Sequence, residues 1–220
     1  QVLGQKIAKY ALEAAAGDQA SFDSLRVNRD RFITLMEEIR HGAPEAGLPA
    51  APEAMAEPLR EVENRWLALR AHVDEILLNQ NAILSIREYV DVINKATPRL
   101  QQLAEEVVRI LVRTKAGQQQ VYVATRQLML AQRLRDNVSR VLSGGTRTAA
   151  AIDQFSQDAD RFGRVLDGML AGDNALNVAR VRDPEAEPIL AEAAKLFRSI
   201  YDHVAEIIEA APSVLPAMEA

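Results

Sequence analysis

"LREVENRWLALRAHVDEI", residues 59–76, decides the fold class. Leu59, Val62, Trp66, Leu69, Val73 and Ile76 recur at steps of three and four, so a helix gathers them on one seam. A strand would scatter them over both faces. The same spacing extends upstream through Phe22, Leu25, Phe32, Leu35 and Ile39, with Asn28 and Arg29 bridging the gap. Downstream it passes through Ile83, Ile86, Val90 and Ile93 and resumes at Leu100, Leu103, Val107 and Ile110. Pro98 lies between these two runs, where it is expected to kink or restart a helix. Further helical patterns cover Val121 to Leu142, Ile152 to Met169 (with Phe155, Phe162 and Val165) and Ile189 to Ile208. "GAPEAGLPAAPEA" at 42–54 and "GDNALNVARVRDPEAEP" at 172–188 carry loop punctuation, as does the shorter Ser143-Gly144-Gly145. The last ten residues hold two prolines and are expected to fray.

The end of the opening stretch returns later in the chain: "HVDEI" at 72–76 matches "HVAEI" at 203–207. Other matches keep the same order. Gln5 pairs with Gln132, Gly17 with Gly144, Asp23 with Asp153, "DRF" at 30–32 with "DRF" at 160–162, and Gly42 with Gly172. "AEP" at 56–58 pairs with "AEP" at 186–188. This ordered set reads as an internal duplication, each copy being helix, turn, helix, Pro-rich loop, helix. The expected fold is all-α: an elongated rod of two tandem, four-helix-like modules, residues 1–115 and 116–220, joined by a long continuous helix. That helix, over 82–115, would measure about 50 Å. The second module's fourth helix is expected to follow Ala220, the chain reading as an excised fragment.

Composition narrows function. A net charge of −5 with both signs interspersed offers no basic face for nucleic acid. The absence of cysteine excludes disulfides and thiolate chemistry. No apolar run reaches the roughly 20 residues needed to span a bilayer. Glu38 and His41 in "EIRH" have metal-ligand spacing, but the repeat puts Leu170 and Ala171 opposite Arg40 and His41, so a di-metal bundle lacks its second motif. His72 and His203 match through repetition and have no nucleophile motif beside them. "SGGT" at 143–146 lacks the strand and lysine of a phosphate loop. Phe32 and Phe162 are expected as core anchors. Neither an enzyme nor any cofactor or metal is expected.

One stretch is harder to dismiss. "TRQLMLAQRLRD" at 125–136 and "VLGQKIAK" at 2–9 each place a glutamine and then a cation among apolar residues: Gln132-Arg133 and Gln5-Lys6. Steps of three and four from Val121 through Thr125 and Leu128 reach Gln132, which would place that amide on or beside the buried seam. A buried amide there either fixes register or belongs to a site. Arg126 and Arg133, two turns apart with Met129 between them, form the candidate ligand, partner or signal-transmission set with Gln132, and Gln5 and Lys6 are their counterparts.

"TRQLMLAQRL" resembles the motif Gly-Arg-Gln-Arg-Met-Leu-Ser-Gln-Arg-Met/Ile of the PilJ family, chemoreceptor-like proteins of the type IV pilus system. "QKIAKYALEAAAGDQASFDSL" at 5–25 and "FSQDADRFGRVLDGMLAGD" at 155–173 resemble that family's first and second sensory modules. The resemblance implies a periplasmic signal-sensing portion of a bacterial inner-membrane receptor that controls pilus function and twitching motility. It implies a homodimer, with a pilin subunit or a small molecule as input. Related nitrate sensors grip their anion with an arginine whose equivalents here are Leu128 and Gln1, which argues against nitrate or nitrite. The alternative is a passive helical dimerisation or spacer module with no ligand of its own.

Overall fold

The computed structural model describes residues 2–142 and 148–219. Among these it is all-α, with seven helices: α1 (Val2–Ala15), α2 (Gln19–His41), α3 (Ala56–Leu78), α4 (Gln80–Arg113), α5 (Gln118–Leu142), α6 (Thr148–Ala171) and α7 (Ala186–Glu219). Two compact units arise. One contains residues 1–87 with 210–220, the other residues 88–209, so α4 and α7 contribute to both. The division at 115/116 marks where the sequence pattern restarts, which is a different quantity from compactness. The expected Ser143-Gly144-Gly145 break, the "SGGT" stretch and the Gly17–Gly144 match fall outside the described residues.

In the first unit α1 and α2 meet through a tight turn. Gly17 has φ +85°, and a Cβ there would stand 2.8 Å from the Cβ of Arg87. Backbone bonds from Gly17 N to Ala14 O (2.8 Å) and Asp18 N to Glu13 O (3.0 Å) close α1. Asp18 then caps α2 by accepting from Ser21 N at 3.0 Å. The core holds Ile7, Phe22, Leu25, Trp66, Val73 and Ile76. The opening seam is therefore buried at Trp66, Val73 and Ile76, while Leu59 and Leu69 are half-buried and Val62 remains 42% exposed. Phe32 is also only half-buried, its ring 4.3 Å from that of Trp66, whereas Phe162 in the second unit is fully buried against Phe197 at 4.8 Å.

The two Pro- or Asn-rich loops share one backbone pattern. Ala43 and Leu48 exchange hydrogen bonds, and so do Asp173 and Val178. Ala51 N donates to Ile39 O (2.9 Å), and Val181 N to Met169 O (2.8 Å). Gly42 and Gly172 have φ of +80° and +90°, while Gly47 and Asn177 have φ of +69° and +52°. Every one of these positions pairs under the sequence repeat.

The prolines do not divide their helices. α4 continues through Pro98 without a break. The proline removes the amide donor that would bond Asn94 O; beside it, Thr97 Oγ1 donates to Ile93 O at 2.7 Å. α7 likewise runs to Glu219 through Pro212 and Pro216, in place of a frayed end. The Ala, Glu, Leu and Met residues around these prolines are strong helix formers.

Candidate functional site

α5 carries the glutamine-arginine motif in the second unit. Its buried stripe is Val123, Ala124, Gln127, Leu130, Ala131, Leu134, Asn137 and Val138. The opposite face exposes Tyr122, Thr125, Arg126, Met129, Gln132 and Arg133. The expected position of Gln132, on or beside the seam, is thus corrected. Gln132 faces outward, and the amides that enter the interior are Gln127 and Asn137. Val121, from which the spacing runs to Gln132, is only half-buried; the buried stripe starts at Val123-Ala124. Its alanines and amides disguise it as a polar face.

Both buried amides reach α6. Gln127 Nε2 donates to Phe162 O at 2.7 Å, while its Oε1, equally buried, has no partner among the described residues. Asn137 Nδ2 donates to Asp158 Oδ2 at 3.1 Å, an oxygen that also accepts from Gln154 Nε2 at 3.2 Å. The other carboxylate oxygen, Oδ1, lies 2.8 Å from Arg133 Nη2. The Asp158 side chain is 3% exposed and that of Arg133 51% exposed. Arg133 therefore covers a buried carboxylate from the solvent side, and a buried charge needs such a partner.

The remaining sequence-chosen residues are on the surface. Arg126 lies over the Tyr122 ring, 5.7 Å from its centroid, and Met129 is 60% exposed. Gln5 and Lys6 are exposed on α1, flanking the fully buried Ile7. Arg126 and Arg133 share a helix face but point to different partners, the first to an aromatic ring and the second to Asp158. Sequence reasoning missed Asp158, Asn137, Gln127 and Gln154. Asp158 and Gln154, four apart on α6, were the available signal, since they bracket the apolar Phe155.

Elsewhere His203 packs against Tyr89 at 5.2 Å and contacts Ser199 O, and His72 is exposed. Arg40 pairs with Glu63. Among the described residues no group of three or more His, Asp or Glu is placed to hold a metal, and no helix is long and apolar enough to cross a membrane.

Residues 1–93 match the family described as type IV pili methyl-accepting chemotaxis transducer, N-terminal. The chain is similar to protein PilJ of Pseudomonas aeruginosa, 38% identical over 220 residues, which is 100% of this chain and 32% of that protein. It is also similar to the methyl-accepting chemotaxis AlkN of Alcanivorax borkumensis, 36% identical over 221 residues, 100% of this chain and 31% of that protein. The chain thus spans about a third of the length of the curated relatives it matches.

Proposed function

With residues 1–93 carrying the N-terminal domain of type IV pilus chemotaxis transducers, we propose that this chain is the signal-sensing portion of a chemoreceptor-like protein acting in pilus control. It works on the periplasmic side of the inner membrane as part of a homodimeric receptor. A pilin subunit or a small molecule supplies the input, and the output is a change in helix packing passed across the membrane. The chain contributes recognition and movement, not catalysis. The two-copy organisation, supported by the recurring loop hydrogen bonds, gives the receptor two related modules in series along the sequence.

The observation that carries this reading is the polar character of the α5–α6 interface. Gln127 leaves one buried oxygen unpaired, which costs about 1–3 kcal/mol. Relief of that cost by a second α5 packing that pairs this oxygen is the kind of balance on which switching proteins rely. The Asp158 cluster holds the present register, and Arg133 joins that cluster to the exposed face bearing Arg126 and Met129. A partner engaging this face acts on the cluster through Arg133.

The test is a thermal-shift screen of the purified chain against small anions, amino acids and purified pilin subunit, with sedimentation beside each hit. A ligand that prefers the native state stabilises it, by about 2.7 kcal/mol at a hundredfold excess over Kd. Saturable stabilisation, lost in Arg126→Ala with the fold intact, is expected. A flat screen together with a concentration-dependent dimer would assign the chain to the passive-spacer class.

A further inference from the structure

The two copies of the sequence pattern differ in how far their loop ends are closed. The matches from "DRF" at 30–32 to "AEP" at 56–58 keep one spacing, so Met36 pairs with Leu166, Ile39 with Met169, Leu48 with Val178 and Ala51 with Val181. All four members of the second set are buried. In the first unit Met36 and Ala51 are half-buried, Ile39 is 42% exposed and Leu48 is 55% exposed. The backbone does not account for this, because both loops fold into the same turn. An apolar seat made by α2 and the loop after it therefore lies open in the first unit. Apolar surface gathered in one place marks a site of contact.

In the second unit the start of α5 closes the matching seat. Gln119, Gln120 and Val123 border the same crevice as Met169, Val178 and Val181. Gln120 Nε2 donates to Arg180 O at 3.1 Å and Gln119 Nε2 to Asn177 O at 3.4 Å, which ties this part of α5 to the loop. One turn further on, Ala124 and Gln127 border a second crevice with Leu166 and Met169, where Ala104 and Val107 of α4 also contribute. The match of Gln5 with Gln132 sets α1 against α5, and Ile7 and its counterpart Leu134 are both buried. Counted back on that match, residues 118–127 fall in the ten positions ahead of Gln1. α1 has 14 residues where α5 has 25, and the difference lies at the end that closes the seat.

We propose that the seat on Ile39 and Leu48 is closed, in the parent protein, by about ten residues of helix that continue α1 ahead of Gln1. The occupant is a segment of the same polypeptide. It is amphipathic, with small apolar side chains toward α2 and amide donors toward the carbonyls of Gly47 and Ala50, the counterparts of Asn177 and Arg180. The curated relatives extend well beyond the third of their length that this chain covers, so those proteins have polypeptide to spare for such a segment. Lengthening α1 requires no new helix nucleus, only propagation of a helix already formed. A tethered segment also avoids the loss of translational and rotational freedom that a separate partner or a second copy would bear. The apolar area of Ile39 and Leu48 then offsets the ordering of the added residues. The proposal does not depend on the receptor reading.

The chain has no cysteine, so a single introduced thiol reports on the seat. The experiment is maleimide labelling of Leu48→Cys in the 220-residue chain and in the same chain extended by the ten residues that precede Gln1 in the parent protein. Leu12→Cys, at a position 75% exposed on α1, is the control. Leu48→Cys should react at least about tenfold more slowly in the extended chain, a change on the order of that expected for burial, while Leu12→Cys reacts equally in both. As a second measure, Ile39→Asp should lower the melting temperature of the extended chain more than that of the 220-residue chain. Equal labelling of Leu48→Cys in the two chains, or an equal effect of Ile39→Asp, would overturn the proposal. So would slow labelling of the 220-residue chain that speeds up on dilution, which would give the seat to a second copy.

Discussion

Removing Arg133 should destabilise the second unit more than its half-exposed position suggests. The side chain resembles a surface residue, and surface substitutions usually change stability by within about 0.5 kcal/mol. Its partner, however, is the almost fully buried Asp158. Among the described residues, Arg133→Ala leaves that carboxylate with the two neutral amides of Asn137 and Gln154, at 3.1 and 3.2 Å. Stranding a buried charge costs about 3–5 kcal/mol when no other donors remain. Two amide donors and access from the α5 surface bring the expected loss to the lower end, about 3 kcal/mol. Asp158→Asn removes the charge itself and leaves Arg133 free to turn to water, so it should cost less, about 1–2 kcal/mol. The double variant should cost little more than Asp158→Asn alone, giving a coupling of about 2 kcal/mol. The assay is urea denaturation followed by far-ultraviolet circular dichroism, with melting as a check. For a chain of this length each kcal/mol corresponds to about 2–4 °C, so Arg133→Ala should melt about 6–12 °C lower. A loss below about 1 kcal/mol, or strict additivity in the double variant, would refute the claim that Arg133 neutralises Asp158.

Other expectations follow from particular contacts. Gln127→Leu loses the bond to Phe162 O but also removes the unpaired Oε1, so its stability should lie within about 1 kcal/mol of the parent, whereas Gln127→Glu should be clearly destabilising; the same urea assay decides. Gly17→Ala combines a left-handed backbone with a 2.8 Å approach to Arg87 and should cost at least about 1–2 kcal/mol, read as a lowered melting temperature. Asp183 is held below its ordinary value of 3.8: burial acts to raise it, but the amides of Glu185 and Ala186, the Thr114 hydroxyl and Arg113 together outweigh this. Its contribution is therefore fully present above about pH 3.8 and is lost as pH falls through the lower folded value, so the melting advantage over Asp183→Ser should shrink in that acidic window.

The all-α class was legible because helical periodicity comes directly from burial, and Trp66, Val73 and Ile76 are buried where the seam puts them. The loops were legible from glycine and proline. The register of α5 was not. Apolar residues stand on both of its faces, and periodicity weighs an exposed Met129 more heavily than a buried Ala131, although packing favours the small residue. The Asp158 cluster stayed hidden for a related reason. Its members come from two helices, and a charged residue surrounded by apolar ones looks like an interruption until its partners are placed. Pro98 marks a lost donor in the sequence, but the apolar stripe on either side of it, with Ile83, Ile93, Leu100 and Val107 buried, carries one helix through it.

The paired loops have a consequence for how such a chain changes over time. "APEAGL" at 43–48 and "DNALNV" at 173–178 share only an alanine, not at matching positions, and a leucine likewise displaced, yet both fold into the same hydrogen-bonded turn. What they keep in common is backbone grammar: glycine before the turn and a residue tolerant of left-handed geometry, Gly47 or Asn177, inside it. The two loops share a few torsion angles more than they share side chains, although the second also uses its own: Val178 is buried and Asp173 Oδ1 accepts from the amides of Ala175 and Leu176. Each loop can therefore accumulate new surface chemistry without disturbing the helices it joins, and the two copies can acquire different specificities on one inherited frame.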